Sequence, residues 1–213
     1  MDHNLTFPLK DEDVLALHLG DEVLLSGYLL TARDAAHKWL LETFIENSHP
    51  PSPEDQNIRN TIAPFLDHGA IYHCGPIISG EIAPNGSINH IKFISAGPTT
   101  SIREEIYTDR LIKHFHVSAI IGKGGMGANT LATCQQVPAV YLHAIGGAGT
   151  LIAQTVQRVQ AVYKPEFGIP EAIWIIEVKA FPAIVTMDAH GRSLHTRVAE
   201  QSREALEKYL PLK

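Results

Sequence analysis

Cysteine is scarce in this chain of 213 residues: Cys74 and Cys134 are the two, far apart and each set in an apolar stretch. Such a pair makes no disulfide framework and suits reduced, buried thiols. Basic residues are also in short supply, 17 Lys and Arg against 23 Asp and Glu, giving a formal net charge of -6. A nucleic-acid footprint needs a basic stripe to neutralise phosphates, so that class of partner is disfavoured and any anion site has to be local. No run approaches the roughly 18 apolar residues of a membrane span. The opening MDHNLTFPLKDEDV lacks both a basic lead into an apolar segment and an Arg-rich, acid-poor character. A soluble, cytoplasmic protein is therefore expected. Repeats at solenoid or propeller periods are lacking too. What is present is 45% hydrophobic residues with 16 Gly and 13 Pro, enough for one compact globular domain over residues 1–213.

Apolar runs and helical patterns alternate along the chain, which argues an α/β fold. Glu22 to Leu30 reads as a strand, and Thr31 to Leu40 as a helix with Thr31 as its cap. Residues 47–64 concentrate Pro, Ser, Asn and charge, the mark of an exposed surface excursion. Ala70 to Cys74 reads as a strand, and an Asn85-Gly86 turn joins Gly75 to Ile78 with the run from Ile88 to Ser95 as a hairpin. Thr100 to His116, Asn129 to Gln136 and Thr150 to Val159 carry helical patterns, with strands at Ala119 to Ile121 and Ala139 to Ala144. Two strands, Ala172 to Val178 and Ala183 to Asp188, flank Phe181-Pro182, and a helix runs from about Ala199 to Tyr209.

Three segments carry polar chemistry at points where a strand yields to a helix. In Thr31-Ala32-Arg33-Asp34-Ala35-Ala36-His37-Lys38, Arg33 and His37 are four apart and share a helical face if the helix has begun. Arg33 can clamp a carboxylate, Asp34 can hold Arg33 or His37, and His37 can move a proton near neutral pH. The alternative is ordinary first-turn charge favoured by the helix dipole. In Gly97-Pro98-Thr99-Thr100-Ser101-Ile102-Arg103, three consecutive hydroxyls exceed what one cap requires. Free N–H groups there favour an anion that Arg103 can also reach; the alternative is a capped helix with a surface arginine.

The third segment, Gly122-Lys123-Gly124-Gly125-Met126-Gly127, contains G-x-G-x-x-G. A dinucleotide fold is the reading to weigh against it. The next strand ends in Ile145-Gly146-Gly147 rather than an acidic residue for a ribose hydroxyl, and Lys123 is followed by Gly124 rather than the Ser or Thr of a phosphate loop. A cationic loop that lets backbone approach a small anion remains. Gly146-Gly147-Ala148-Gly149 lets the next helix pack closely, and none of the twelve histidines has a metal-ligand spacing.

Together with Ser26-Gly27, Pro170-Glu171-Ala172-Ile173-Trp174, Phe181-Pro182-Ala183-Ile184-Val185 and Asp188, these segments resemble the class I fumarase β-subunit family, which includes the tartrate dehydratase β subunits. The resemblance covers nearly the whole chain in order. It implies a swivelling β/β/α domain that pairs with an α subunit, in a hetero-oligomer such as α2β2. It also implies that three cysteines of that partner hold a [4Fe–4S] cluster, which the two cysteines here are too few to do. By resemblance, Thr99 takes the C3 proton of a four-carbon dicarboxylate. Arg33, Arg103 and Lys123, with Thr100 and Gly124 beside them, bind its carboxylates, and His37 is an acid/base candidate. The expected activity is reversible hydration of fumarate to malate, with tartrate dehydration as the alternative. A hydroxyl is a poor base alone, so Thr99 needs a carboxylate from the α subunit, and the isolated chain is expected to be inactive. A NAD-binding oxidoreductase domain and a non-catalytic interaction domain are the competing classes.

Overall fold

Nearly continuous apolar runs such as Ala119-Ile120-Ile121 and Val140-Tyr141-Leu142 leave no face for water, so they need to be strands covered on both sides. The computed structural model, which describes residues 2–48, 50–83, 88 and 90–210, builds them that way. Its elements are β1 (Asp2–Thr6), α1 (Asp11–Leu15), β2 (Glu22–Thr31), α2 (Asp34–Phe44), α3 (Pro53–Leu66), β3 (Ala70–Tyr72), β4 (Ile77–Ser79) and β5 (Lys92–Ser95). A 3-10 turn (Ser101–Glu104) then leads into α4 (Glu105–Phe115), followed by β6 (Ala119–Gly122), α5 (Ala128–Gln136), β7 (Val140–His143), α6 (Gly149–Thr155), β8 (Val156–Tyr163), β9 (Ile173–Met187) and α7 (Leu194–Tyr209).

The main sheet runs β1-β2-β3-β6-β7-β9-β8, and a further β2–β9 pairing closes β2, β3, β6, β7 and β9 into a barrel-like ring. Neighbours from β1 to β7 are parallel, whereas β9 is antiparallel to β2, β7 and β8. Side chains alternate across this wall. Leu29, Tyr72, Ile121, Leu142, Trp174 and Ile176 face the inner core. Their neighbours Leu30, Ile71, Ile120, Tyr141, Ile173 and Ile175 face an outer layer built from α2, α3, α4 and α5. Edge-to-face packing of Tyr72 on Phe181 (5.1 Å) and Phe93 on Trp174 (5.6 Å) fills the ring. Buried Trp174 still satisfies its one polar atom, donating to the Ile169 carbonyl at 2.9 Å. Through Phe93 the β4/β5 hairpin, a separate two-stranded sheet, closes over this core.

Several expectations change. Thr31 is not a helix cap: it ends β2, and its hydroxyl accepts from the Trp174 N–H at 3.2 Å, so α2 begins at Asp34 with Arg33 at the cap. Most of the excursion expected at 47–64 belongs instead to α3 (Pro53–Leu66), capped by Ser52 with Pro53 in its first turn and burying Ile58, Ile62 and Leu66. The helix expected through Val159 stops at Thr155, because Val156 onward pairs with β9 as an edge strand. The two strands expected around Phe181-Pro182 are one. A register shift between Leu25 and Gly27 and a left-handed Ala180 (φ 55°) absorb the irregularity. The Asn85-Gly86 turn lies outside the described residues; its flanks do pair, β4 with β5.

Candidate active site

The parallel strands β2, β3, β6 and β7 all end on one rim, and each is followed there by a polar segment. Small ligands of α/β sheets sit outside such carboxyl ends. After β2 comes Arg33, after β3 come His73, Cys74 and Gly75, after β6 comes the Lys123 loop, and after β7 comes the glycine run at 146–149. The Thr99 segment is zipped into this rim. Thr99 N–H donates to the His73 carbonyl (2.7 Å), Lys123 N–H to Thr99 (3.2 Å) and Ser101 N–H to Lys123 (2.9 Å). Thr100 bridges Lys123 as a short parallel pair. Gly124 turns there with φ 83°, and a Cβ on it would stand 3.7 Å from the Thr100 methyl.

Charges are arranged in pairs on the rim. Arg103 Nη2 lies 3.0 Å from Asp34 Oδ2, both side chains nearly half exposed, and 3.4 Å from the Thr99 hydroxyl, to which it donates. Asp34 therefore holds Arg103, rather than Arg33 or His37 as the sequence left open. Arg33 Nε is 3.3 Å from Glu171 Oε1, whose other oxygen accepts from Ala35 N–H at 3.0 Å. Glycine at 75 makes room for that guanidinium, since a Cβ would come within 2.6 Å of Arg33 Nη1.

Beneath the rim lies a buried layer. His37 does not share an outward face with Arg33. Its side chain is 0% exposed, and its Nδ1 sits 2.9 Å from the Arg33 carbonyl. Burial pushes its pKa down to about 4, against the Arg33 hydrogen bond and Asp34, which raise it. His73 stacks edge-on at 5.0 Å and is also pushed well down by burial, so both rings are neutral at pH 7. His73 Nδ1 meets Ser101 Oγ at 2.9 Å, and the Tyr141 hydroxyl donates to the same oxygen at 2.9 Å. Glu104 is 0% exposed, 3.9 Å from His37 Nδ1 and 4.0 Å from Arg103 Nη2. Burial, then Asp34 and Glu171, push its carboxyl up to about 7, while Arg103 and Arg33 oppose.

The sequence pattern described as "Fumarase C-terminus" matches residues 2–198. The chain belongs to the fumarase C-terminus family. Among relatives of this family member, a candidate class I fumarate hydratase of Geobacillus stearothermophilus is 40% identical over 96% of the chain. The chain spans 36% of that protein's length. A candidate L(+)-tartrate dehydratase subunit beta of Methanocaldococcus jannaschii is 38% identical, covering 96% of each chain. The L(+)-tartrate dehydratase subunit beta of Escherichia coli K12 is 35% identical over 98% of this chain and 92% of its own.

In this fumarase C-terminus domain the rim brings together Arg33, Asp34, Thr99, Thr100, Arg103, Lys123 and Gly124, while His37 lies in the layer below. Sequence reasoning missed His73, Tyr141 and Glu104, and gave no individual role to Ser101 and Glu171, although both lie in segments it quoted. One signal was available for Glu104. Extending the buried stripe Thr108, Leu111, Ile112, Phe115 back by one turn points position 104 inward. The donors of a [4Fe–4S] cluster do not fit here. Cys74 and Cys134 are both buried, with thiols pushed up to about 12, and no group of three or more His, Cys, Asp and Glu is placed to hold a metal among the described residues. No helix among them is long and apolar enough to cross a membrane.

Proposed function

We propose that this chain is the β subunit of a cytoplasmic hydro-lyase that reversibly hydrates fumarate to malate, working with a cluster-bearing α subunit. The observation that carries this reading is the meeting of Thr99, Arg103, Arg33 and the Lys123 loop on one rim. Removing a proton from a carbon next to a carboxylate spreads negative charge onto that carboxylate. Fixed cations at that position lower the barrier. Arg33, Arg103 and Lys123 supply them, and Thr100 and Gly124 shape the loop contact that holds Lys123 in place.

Thr99 receives the proton in this scheme. The Arg103 hydrogen bond to its oxygen favours the oxyanion form, although a carboxylate from the α subunit is still required to take the proton on. His37, neutral and enclosed, is suited to holding the Arg33 backbone rather than to meeting substrate. The rim is open on its outer side, with Thr100 exposed and Arg103 46% exposed, so a partner surface has to cover it before water is excluded. A tartrate dehydratase β subunit is the second reading. It is favoured by relatives of that name being matched along more than nine-tenths of their length as separate subunits.

The test is anaerobic purification of the chain with and without a co-expressed α subunit, followed by fumarate and tartrate turnover. Turnover is expected in the complex and absent from the chain alone. Thr99→Ala is expected to lower turnover at least ~100-fold with assembly intact. Normal turnover by that variant refutes the base assignment, and tight NAD binding by the isolated chain refutes the hydro-lyase reading.

A further inference from the structure

Among the described residues, Asp34, Glu171 and Glu104 are the carboxylates at the proposed anion site, and Glu104 differs from the other two in having no close partner. Asp34 pairs with Arg103, and Glu171 with Arg33 and the Ala35 N–H. Both oxygens of Glu104 are enclosed and accept no hydrogen bond. The basic atoms His37 Nδ1 and Arg103 Nη2 stand at 3.9 and 4.0 Å, too far for a hydrogen bond. An ionised carboxylate in such a place is costly, whereas the neutral acid is tolerated. Neither buried histidine relieves it as a cation, since His37 and His73 are held neutral by burial.

We propose that Glu104 is a positioning residue that takes up a proton when a dicarboxylate binds to Arg33 and Arg103. This rests on the anion-site reading above. The charge of Arg103 and Arg33 partly supports ionised Glu104. Asp34 and Glu171, each paired with one of those arginines, repel it, and Tyr107 on α4 and His37 on α2 lie beside it without charge. A dianionic ligand engages the same two guanidiniums and adds negative charge beside them. The ionised form of Glu104 then loses its support. One O–H bond forms at a Glu104 oxygen, and the proton comes from solvent. With Glu104 neutral, Arg103 and Arg33 have no interior anion competing for them and are oriented toward the ligand. Burial holds its carboxyl up at about 7, so the exchange is to be read around neutral pH.

Infrared titration of the full chain, with succinate as a non-reacting dicarboxylate probe, tests this. A protonated-carboxyl band that disappears above neutral pH, grows on adding succinate, and is absent from Glu104→Gln is expected. Succinate affinity should weaken by up to about tenfold per pH unit on the alkaline side in the wild type and stay nearly flat in Glu104→Gln. A band that titrates but ignores bound succinate overturns the coupling and leaves the proposed function intact. Failure of succinate to bind at all, to the chain or to its complex with the α subunit, overturns the anion site and the coupling with it. Should the Gln variant misfold, the wild-type titration alone decides, because absence of a near-neutral carboxyl band refutes the proposal.

Discussion

Arg103 Nη2 serves both Asp34 and the Thr99 hydroxyl, an arrangement that depends on a planar fork with several donors. Lysine keeps the charge but cannot hold the aspartate, the hydroxyl and a substrate carboxylate in fixed directions. Arg103→Lys is therefore expected to raise KM for the dicarboxylate about tenfold or more and to lower kcat as well, read by steady-state kinetics of the assembled enzyme. An unchanged kcat would show that the contact to Thr99 is incidental. The places of Arg33, Thr99, Arg103 and Lys123 on the rim were legible because each lies at a break between strand and helix marked by glycine, proline or a helix start, features local in sequence. Glu171 and His73 were not. What makes them part of the site is a contact across 138 residues to Arg33 and a ring packed on His37, and no local spacing encodes either.

At the scale of elements, the rim is held by backbone rungs between the Thr99 segment and the end of β6, and Gly122 lets the two approach. A Cβ there would fall 1.9 Å from Ser101 Oγ and 3.2 Å from the Tyr141 hydroxyl. Ser101 cannot simply rotate away, because its oxygen meets both His73 and Tyr141 in a buried place. Gly122→Ala is expected to destabilise the fold by about 2 kcal/mol or more and to displace Thr99. Urea unfolding checks the first effect and turnover of the complex the second. A stability loss without a turnover loss would separate packing from catalysis. The inner strands β3, β6 and β7 were readable because their residues are almost all apolar and buried. β8 was not, since none of its residues is fully buried and it is a strand only because β9 offers it an edge. α3 was obscured by its Ser52 cap and by a polar outer face that carries the prolines and charge that suggested an excursion, while Ile58, Ile62 and Leu66 at helical spacing hold the inner one.

For the whole molecule, the buried layer under the rim imposes a pH dependence on folding. His37 and His73 titrate lower in the folded chain than the ordinary histidine value of 6.5, so the unfolded chain binds more protons as pH falls below that value. Their contribution is fully present above about pH 6.5 and is lost on acidification toward pH 4. Glu104 has the opposite sign. Its carboxyl is raised from 4.5 to about 7, so the folded chain holds the extra proton, and stability is lost as pH rises through that window. With two histidines acting against one glutamate, the cluster favours folding most strongly near pH 6.5 and less on either side. Glu104→Gln removes the alkaline loss and is expected to gain on the order of 1–3 kcal/mol at about pH 8, with little gain at about pH 5. His37→Asn, which can still donate to the Arg33 carbonyl, is expected to flatten the acid side instead. Urea unfolding of the three proteins across that range distinguishes the two signs. Parallel profiles for all three would mean that this buried layer does not set the pH dependence of the fold.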